Sequence, residues 1–203
     1  MSRDLIGPGL FVAVVGPSGA GKDSLIAYAR QRLAGRDDIH FARRVITRPC
    51  DPQSESHDTL DEEAFAKAEA AGAFALSWRS HGLAYGIPAT VDETVRAGGA
   101  VVANVSRGVI DDIRARYSAV LPVLVTVSAE ALAARLAARG RETADEIEGR
   151  IARNAGYAGF DAGCTVIDNS GALEEAGESL LRLIDEAMEN IHSSRAFRVQ
   201  TGA

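Results

Sequence analysis

The chain has 203 residues, an apolar fraction of 46% and a formal net charge of −6. This length fits one domain with a sizeable core, and the negative charge argues against a nucleic-acid-binding surface. Its apolar runs are too short to span a membrane, and two cysteines do not form a disulfide framework or a zinc site. We expect a cytoplasmic protein that binds small molecules, with no nucleic-acid or membrane partner; a homodimer stays open.

The predicted elements alternate between apolar strands and helices along the chain. Strands are predicted at 10–15, 41–47, 73–78, 100–105, 120–127 and 164–168. Helices are predicted in "DSLIAYARQRL", "DEEAFAKAEAAG", "TVDETVRAGG", "DDIRARYS", "AEALAARLAARG" and "LEEAGESLLRLIDEAMENI". Continuous apolar strands alternating with helices predict an α/β three-layer sandwich, with a central parallel sheet covered by helices on both faces.

Several local signals refine this pattern. "HGLAYG" (81–86) is predicted to be a turn, and Ser128 caps the helix that follows it in sequence. Thr143 and Glu146 form a capping box for a helix running toward Tyr157. More polar segments at about 41–90 and 139–150 predict a flap and a lid over an active site. We expect one domain over 1–192 and an irregular tail over 193–203.

The stretch "GPSGAGKDS" joins the first predicted strand to the first helix, the context in which a phosphate-binding loop occurs. Its glycines allow successive N–H groups to turn toward phosphate oxygens, and the helix start adds positive potential. This motif predicts a site for ATP, with Lys22 on its terminal phosphates. The residues of the site are Gly16, Pro17, Ser18, Gly19, Ala20, Gly21, Lys22, Asp23 and Ser24.

Asp23 stands where such loops usually place Ser or Thr to help hold Mg²⁺. A carboxylate is also a hard oxygen ligand, so Asp23 can serve the metal directly or through water, and Ser24 is a second candidate. Asp in the first turn of a helix also favours the helix dipole, which leaves a purely structural role open.

Motifs beyond the loop resemble the guanylate kinases. "TRP" at 47–49, "DEEAF" at 61–65, "YG" at 85–86 and "AARLAARGRET…IEGRIAR" at 133–153 follow that family's order and approximate spacing. The resemblance implies a P-loop kinase with an acceptor-binding flap and an arginine-bearing lid. It implies that Arg48 and Tyr85 grip the acceptor's phosphate. It also implies catalytic roles for Arg135, Arg139 and Arg150, with Arg141 and an adenine contact at Asn169 as weaker candidates.

Two departures from the guanylate kinase pattern concern the acceptor. Those enzymes read guanine with a glutamate, where this chain has Ser77, and with a carboxylate in the segment that here reads "VVANVSRG". Lost buried pairings cost about 1–3 kcal/mol each, so GMP is not the expected acceptor.

One branch of the family is similar in these same respects, the ribose 1,5-bisphosphate phosphokinases of bacterial phosphonate utilisation. The similarity lies in the "GPSGAGKDS" loop with Asp after its lysine, and in "ITRP", "SESH", "FALSW…HGL.YG" and "N.SR" at 104–107. It implies transfer of a phosphoryl group from ATP to the 1-phosphate of ribose 1,5-bisphosphate, giving 5-phosphoribosyl 1-diphosphate (PRPP).

A bisphosphate acceptor requires cations at both ends, and guanidinium groups bind two phosphate oxygens at once. Five arginines lie in or near the predicted flap and the end of the strand predicted at 100–105: Arg43, Arg44, Arg48, Arg79 and Arg107. Arg43 and Arg44 are neighbours on a strand, so at most one faces substrate. We predict Arg44, Arg48 and Arg107, with Tyr85, as the substrate-binding set. Arg79 has an alternative role as a solvated turn residue.

Two other functions stay open at this point. The first is a guanylate or other nucleoside monophosphate kinase with an unusual base pocket. The second is a guanylate-kinase-like interaction module without catalysis, although Gly16 to Lys22 is complete here. His57 and His81 lie in polar segments without the partners of a nucleophilic triad, and we assign neither a catalytic role.

Overall fold

A computed structural model describes residues 4–48, 57–139, 148–149, 151–152 and 163–201, with the backbone alone at 139 and 195–201. The strands of this part of the chain are β1 (Leu10–Val15), β2 (Ile39–Phe41), β3 (Arg44–Ile46), β4 (His57–Thr59), β5 (Phe74–Ser80), β6 (Leu83–Pro88), β7 (Ala100–Asn104), β8 (Val120–Thr126) and β9 (Thr165–Asp168). The helices are α1 (Lys22–Arg32), α2 (Glu62–Ala70), α3 (Val91–Arg96), α4 (Ile110–Arg116), α5 (Ala129–Arg139) and α6 (Leu173–Thr201).

The main sheet is parallel throughout, in the order β2-β7-β1-β8-β9. Successive residues of a strand point to opposite faces, so β1 contributes to two cores at once. Val12 and Val14 join the core with α1, α5 and α6, whereas Phe11, Ala13 and Val15 join the core with α3 and α4. The predicted α/β fold with helices on both faces of a parallel sheet is therefore confirmed.

A second sheet, in the order β4-β3-β6-β5, forms the flap. β3 runs antiparallel to β6, and β6 antiparallel to β5. α2 covers this sheet with Phe65, whose ring stacks on Phe74 at 4.6 Å between centroids. Asp61 begins the helix, because its side chain accepts a 2.7 Å hydrogen bond from the Ala64 N–H.

Two predicted elements of the flap were wrong. The strand predicted over 41–47 is divided: β2 pairs with β7 in the main sheet, while β3 pairs with β6 in the flap, so the chain changes sheets at 42–43. The turn predicted over 81–86 occupies only His81 and Gly82, with φ of 51° and 74°. The residues after it form β6, which pairs with β5.

Other predictions concern where helices begin and end. Ser128 caps α5 as predicted, since its Oγ accepts a 3.1 Å hydrogen bond from the Ala131 N–H. α6 continues to Thr201, so the irregular tail predicted from residue 193 was wrong for 193–201. Thr143 and Glu146, and nearly all of the predicted lid, lie outside the described residues. None of the described helices combines the length with the apolar character that crossing a membrane requires.

Candidate active site

A cavity of about 310 Å³ lies at the carboxyl edge of the main sheet, between the glycine-rich loop and the flap. Parallel α/β sheets generally bind ligands at this edge. Its lining comes from the loop and the first turn of α1, from the flap, and from the segment after β7. These residues are Gly16, Ser18, Gly19, Gly21, Lys22, Asp23, Ser24, Arg44, Trp78, Ser80, His81, Tyr85, Asn104, Val105 and Ser106.

The loop has the backbone of a phosphate cradle. Gly16 has φ of 149° and Gly21 has φ of 85°, conformations that residues with a Cβ rarely adopt. A Cβ at Gly16 would also lie 2.3 Å from the Val125 carbonyl oxygen. The loop therefore requires glycine for both its turn and its close approach to β8.

Lys22 folds back over this loop. Its Nζ donates hydrogen bonds to the carbonyl oxygens of Gly16 at 2.7 Å and Pro17 at 2.8 Å. Burial lowers the pKa of Lys22 to about 8, an effect that Asp23 opposes and Arg44 reinforces. The ammonium group thus lies in the lining of the cavity, largely shielded from water, where bound phosphate oxygens would favour its charged form.

Asp23 connects the loop to two other elements. Its Oδ1 accepts hydrogen bonds from the Asn104 amide at 2.8 Å and from the Arg44 guanidinium at 3.2 Å. The predicted metal role of Asp23 and Ser24 stays a prediction. In the described part of the chain, His, Cys, Asp and Glu side chains do not group in threes around a common point. The carboxylate of Asp23 and the hydroxyl of Ser24 both line the cavity, and both are hard oxygen donors of the kind that Mg²⁺ binds.

The flap contributes an aromatic pair and a histidine to the cavity. Trp78 and Tyr85 stack at 5.3 Å between centroids with their planes 5° apart. His81 lines the cavity from the turn between β5 and β6. Sequence reasoning left His81 without a role, and the only signal was a His-Gly pair that suits a tight hairpin turn.

The predicted acceptor arginines separate into two groups. Arg44 lines the cavity with its side chain 15% exposed, whereas Arg43 points away and pairs with Asp58 at 3.1 Å. The two side chains therefore point in different directions, and which of them faces substrate stays a prediction. Arg79 pairs with Glu69 at 2.7 Å outside the cavity lining.

Arg48 and Arg107 are not among the residues that line the cavity. Arg48 is exposed and close enough to Arg44 to lower the pKa of that guanidinium, after the larger effect of burial. Arg107 is exposed and directly follows Ser106, which lines the cavity. The predicted contacts of Arg48 and Arg107 with substrate stay predictions.

The residues predicted on the nucleotide side are only partly described. Arg135 donates a 3.2 Å hydrogen bond to the Gly171 carbonyl beside the loop. Arg139 has a described backbone only, and Arg141 and Arg150 lie outside the described residues. Asn169 lies behind the loop, 2% exposed, and donates a 2.7 Å hydrogen bond to the Ala20 carbonyl. It supports the loop and is absent from the cavity lining, so its predicted adenine contact stays a prediction.

The chain is similar to named proteins over most of its length. The sequence matches no family model. It is 54% identical over 180 residues to ribose 1,5-bisphosphate phosphokinase PhnN of Chelativorans sp., covering 88% of this chain and 86% of the relative. It is 52% identical to the PhnN of Pseudofrankia inefficax, covering 90% and 94%. The PhnN of Brucella melitensis is 47% identical, covering 88% and 93%.

The chain belongs to the ribose 1,5-bisphosphate phosphokinase family. The resemblance stated from the sequence is therefore confirmed. Among solved structures, guanylate kinase from Anaplasma phagocytophilum has a TM-score of 0.64 at 18% identity, covering 91% of this chain and 88% of that one. A gluconokinase from Sinorhizobium meliloti has a TM-score of 0.51 at 17% identity, covering 95% and 99%. This chain thus shares the fold of P-loop kinases.

Proposed function

We propose that the protein transfers the γ-phosphoryl group of ATP to the 1-phosphate of α-D-ribose 1,5-bisphosphate, giving PRPP and ADP. The observation that carries this proposal is the match to relatives of that name over most of both chains. The activity named for those relatives suits a cavity with a phosphate loop on one side and an arginine on the other.

The charge of the cavity supports a phosphate acceptor over a purine. Asp23 has the only carboxylate among the described residues that line the cavity. Its Oδ1 already accepts hydrogen bonds from Arg44 and Asn104. Ser77 is not part of the lining. Guanine recognition needs acceptors for the base's N–H donors, and an unmet donor costs about 1–3 kcal/mol. A guanylate kinase activity therefore has little support here.

The chemistry needs alignment and charge neutralisation more than proton transfer. An oxygen of the acceptor's 1-phosphate attacks the γ-phosphorus, and the bond from that phosphorus to the β,γ-bridging oxygen breaks as ADP leaves. The acceptor oxygen is already anionic, so a general base is unnecessary. Lys22 and the loop N–H groups bind the ATP phosphates, while Arg44, Arg48, Arg107 and Tyr85 bind the acceptor.

Further parts of the proposal concern the partners of the reaction. Mg²⁺ bound to ATP, with Asp23 and Ser24 near it, would supply additional positive charge on the β- and γ-phosphates. Arg135, Arg139 and Arg150 are proposed to neutralise the transferred group from the lid side. A cytoplasmic location, where ATP is available, and a homodimer also stay proposals.

An assay with purified protein tests the function. ATP is supplied with either ribose 1,5-bisphosphate or GMP, ADP is followed by a coupled enzyme, and PRPP is identified by phosphorus NMR. We expect turnover with the sugar bisphosphate and none above background with GMP. Lys22→Ala should abolish turnover, because the terminal phosphates lose their cation. GMP turnover without sugar turnover would replace this proposal with the nucleotide kinase, and absent ATP binding would favour the non-catalytic module.

A further inference from the structure

Asp23 joins three parts of the molecule that line the cavity. It lies in the first turn of α1, directly after Lys22 of the donor loop. Its Oδ1 contacts Arg44 at the start of β3 in the flap and Asn104 at the end of β7 in the main sheet. The residues it joins are 21 and 81 positions away in sequence. One carboxylate oxygen therefore connects the ATP side of the cavity to its acceptor side.

The charge of Asp23 matches a specific need of Arg44. The Arg44 side chain is only 15% exposed, and a guanidinium removed from water needs a nearby anion or acceptor. Burial lowers the pKa of Arg44, and Asp23 is the first of the neighbours that raise it again. The hydroxyl usual at this loop position could accept a hydrogen bond, but it would carry no compensating charge.

Asn104 fixes the orientation of the same carboxylate. Its amide donates to Oδ1 at 2.8 Å, and the residue is buried at the carboxyl end of β7. An amide held by a buried strand is a rigid donor, so it restricts the Asp23 side chain to the rotamer that reaches Arg44. The arrangement thus places the guanidinium relative to both the donor loop and the main sheet.

We propose that Asp23 is a positioning residue that holds Arg44 in place for the phosphate acceptor and ties it to the donor loop. This inference rests on the proposed function for the identity of the acceptor. It assigns the aspartate of the loop to acceptor use, whereas a metal ligand at that position would act on ATP and Mg²⁺. The two roles predict different kinetic defects.

Two substitutions at Asp23 separate these roles. Asp23→Asn keeps the shape and removes the charge, and Asp23→Ser restores the hydroxyl usual in phosphate loops. Each is measured for acceptor KM, ATP KM, kcat and the Mg²⁺ concentration that gives half-maximal rate. The matched control is Asp58→Asn, which removes the exposed carboxylate paired with Arg43 in the same flap but outside the cavity lining.

The positioning role predicts the same defect in both variants. Acceptor kcat/KM should fall by about tenfold or more, as expected for loss of a charge-assisted contact, while ATP KM and the Mg²⁺ requirement change less than twofold. Asp58→Asn should resemble wild type. If Asp23→Ser is as active as wild type, or if either variant raises the Mg²⁺ requirement and leaves acceptor KM unchanged, the positioning role is refuted.

A substrate-free measurement keeps this inference separate from the proposed function. Urea unfolding of wild type, Asp23→Asn, Arg44→Gln and the double variant forms a double-mutant cycle. The contact predicts that the two changes are non-additive, with the double variant less destabilised than the sum of the singles. Additive effects would overturn the inference even if ribose 1,5-bisphosphate is the substrate. Failure of wild type to use that sugar would overturn the function alone.

Discussion

The side-chain amide of Asn169 donates a 2.7 Å hydrogen bond to the backbone carbonyl of Ala20, inside the phosphate loop. Asn169 directly follows β9, at the far edge of the main sheet from the flap. Its own N–H donates to the Thr126 carbonyl at 2.9 Å, so the residue is fixed to β8 while its side chain supports the loop from behind. The loop's shape thus depends on a residue 149 positions away in sequence.

We expect Asn169→Ala to weaken both folding and ATP binding. The substitution leaves the Ala20 carbonyl without its buried donor, which costs about 1–3 kcal/mol of unfolding free energy. ATP dissociation constants should rise by about tenfold because the loop loses its support. Urea unfolding and calorimetric ATP titration measure the two effects. Gln31→Ala, on the exposed face of α1, is the control and should change neither.

Lys22 predicts a pH dependence of ATP binding. Burial lowers its pKa to about 8 in the free protein, and the phosphates of ATP should raise that pKa when they bind. ATP binding near pH 8 to 9 should therefore take up a proton, and affinity should fall as pH rises through this range. Calorimetry in two buffers of different ionisation enthalpy measures the uptake.

The sign for stability is opposite to that for binding. A lysine whose pKa is about 8 in the folded protein and 10.5 in the unfolded chain destabilises the protein most below pH 8. The free energy of unfolding should therefore rise as pH increases from about 8 to 10.5 and this lysine loses its proton. Lys22→Arg should remove the proton uptake on ATP binding, since arginine stays charged throughout. Equal uptake in wild type and Lys22→Arg would refute the assignment of this proton to Lys22.

Arg48→Lys should impair acceptor use without affecting ATP. Arg48 is exposed, and its charge lowers the pKa of Arg44, a residue of the cavity lining. A guanidinium can bind two oxygens of one phosphate at once. An ammonium cannot reproduce that geometry, so we expect acceptor KM to rise by about tenfold. Steady-state kinetics with each substrate varied in turn provides the measurement. Arg43→Lys, whose side chain pairs with Asp58, is the matched control. Unchanged acceptor kinetics in Arg48→Lys would count against its role.

The main sheet could be predicted from sequence because its strands are continuous apolar runs. Strands such as β1 and β7 are buried on both faces, and few other structures accept such runs between helices. The flap could not be predicted in the same way. Whether 41–47 is one strand or two depends on pairing with β7 and β6, which lie far later in the sequence.

The site shows the same division between local and long-range signals. The phosphate loop is a contiguous motif, so its residues could be named from the sequence. The contacts of Asp23 with Asn104 and of Asn169 with Ala20 join distant segments, and no local pattern predicts them. Period-two alternation predicts that Arg43 and Arg44 face opposite sides, but it does not say which side meets the substrate, so the choice of Arg44 did not follow from the local pattern.

His57 predicts a pH dependence of stability. It is buried at the start of β4, and burial, followed by the charges of Arg48 and Arg44, lowers its pKa below the ordinary 6.5. The unfolded chain therefore binds more protons than the folded one below that value, and unfolding free energy should fall as pH drops from 7 to 5. His57→Gln should lose that share of the slope. The control His192→Gln, exposed on α6, should keep it, and an equal slope in His57→Gln and wild type would contradict the prediction.

Trp78 provides a direct signal for acceptor binding, because it is the only tryptophan of the chain and lines the cavity against Tyr85. We expect titration with ribose 1,5-bisphosphate to change its fluorescence, with half-saturation close to the acceptor KM. GMP at the same concentrations should leave the emission unchanged, since the described lining has no free carboxylate pair to read a base. Trp78→Phe removes the signal and serves as the blank. Unaltered emission at acceptor concentrations that support turnover would place the acceptor elsewhere than the cavity beside Arg44.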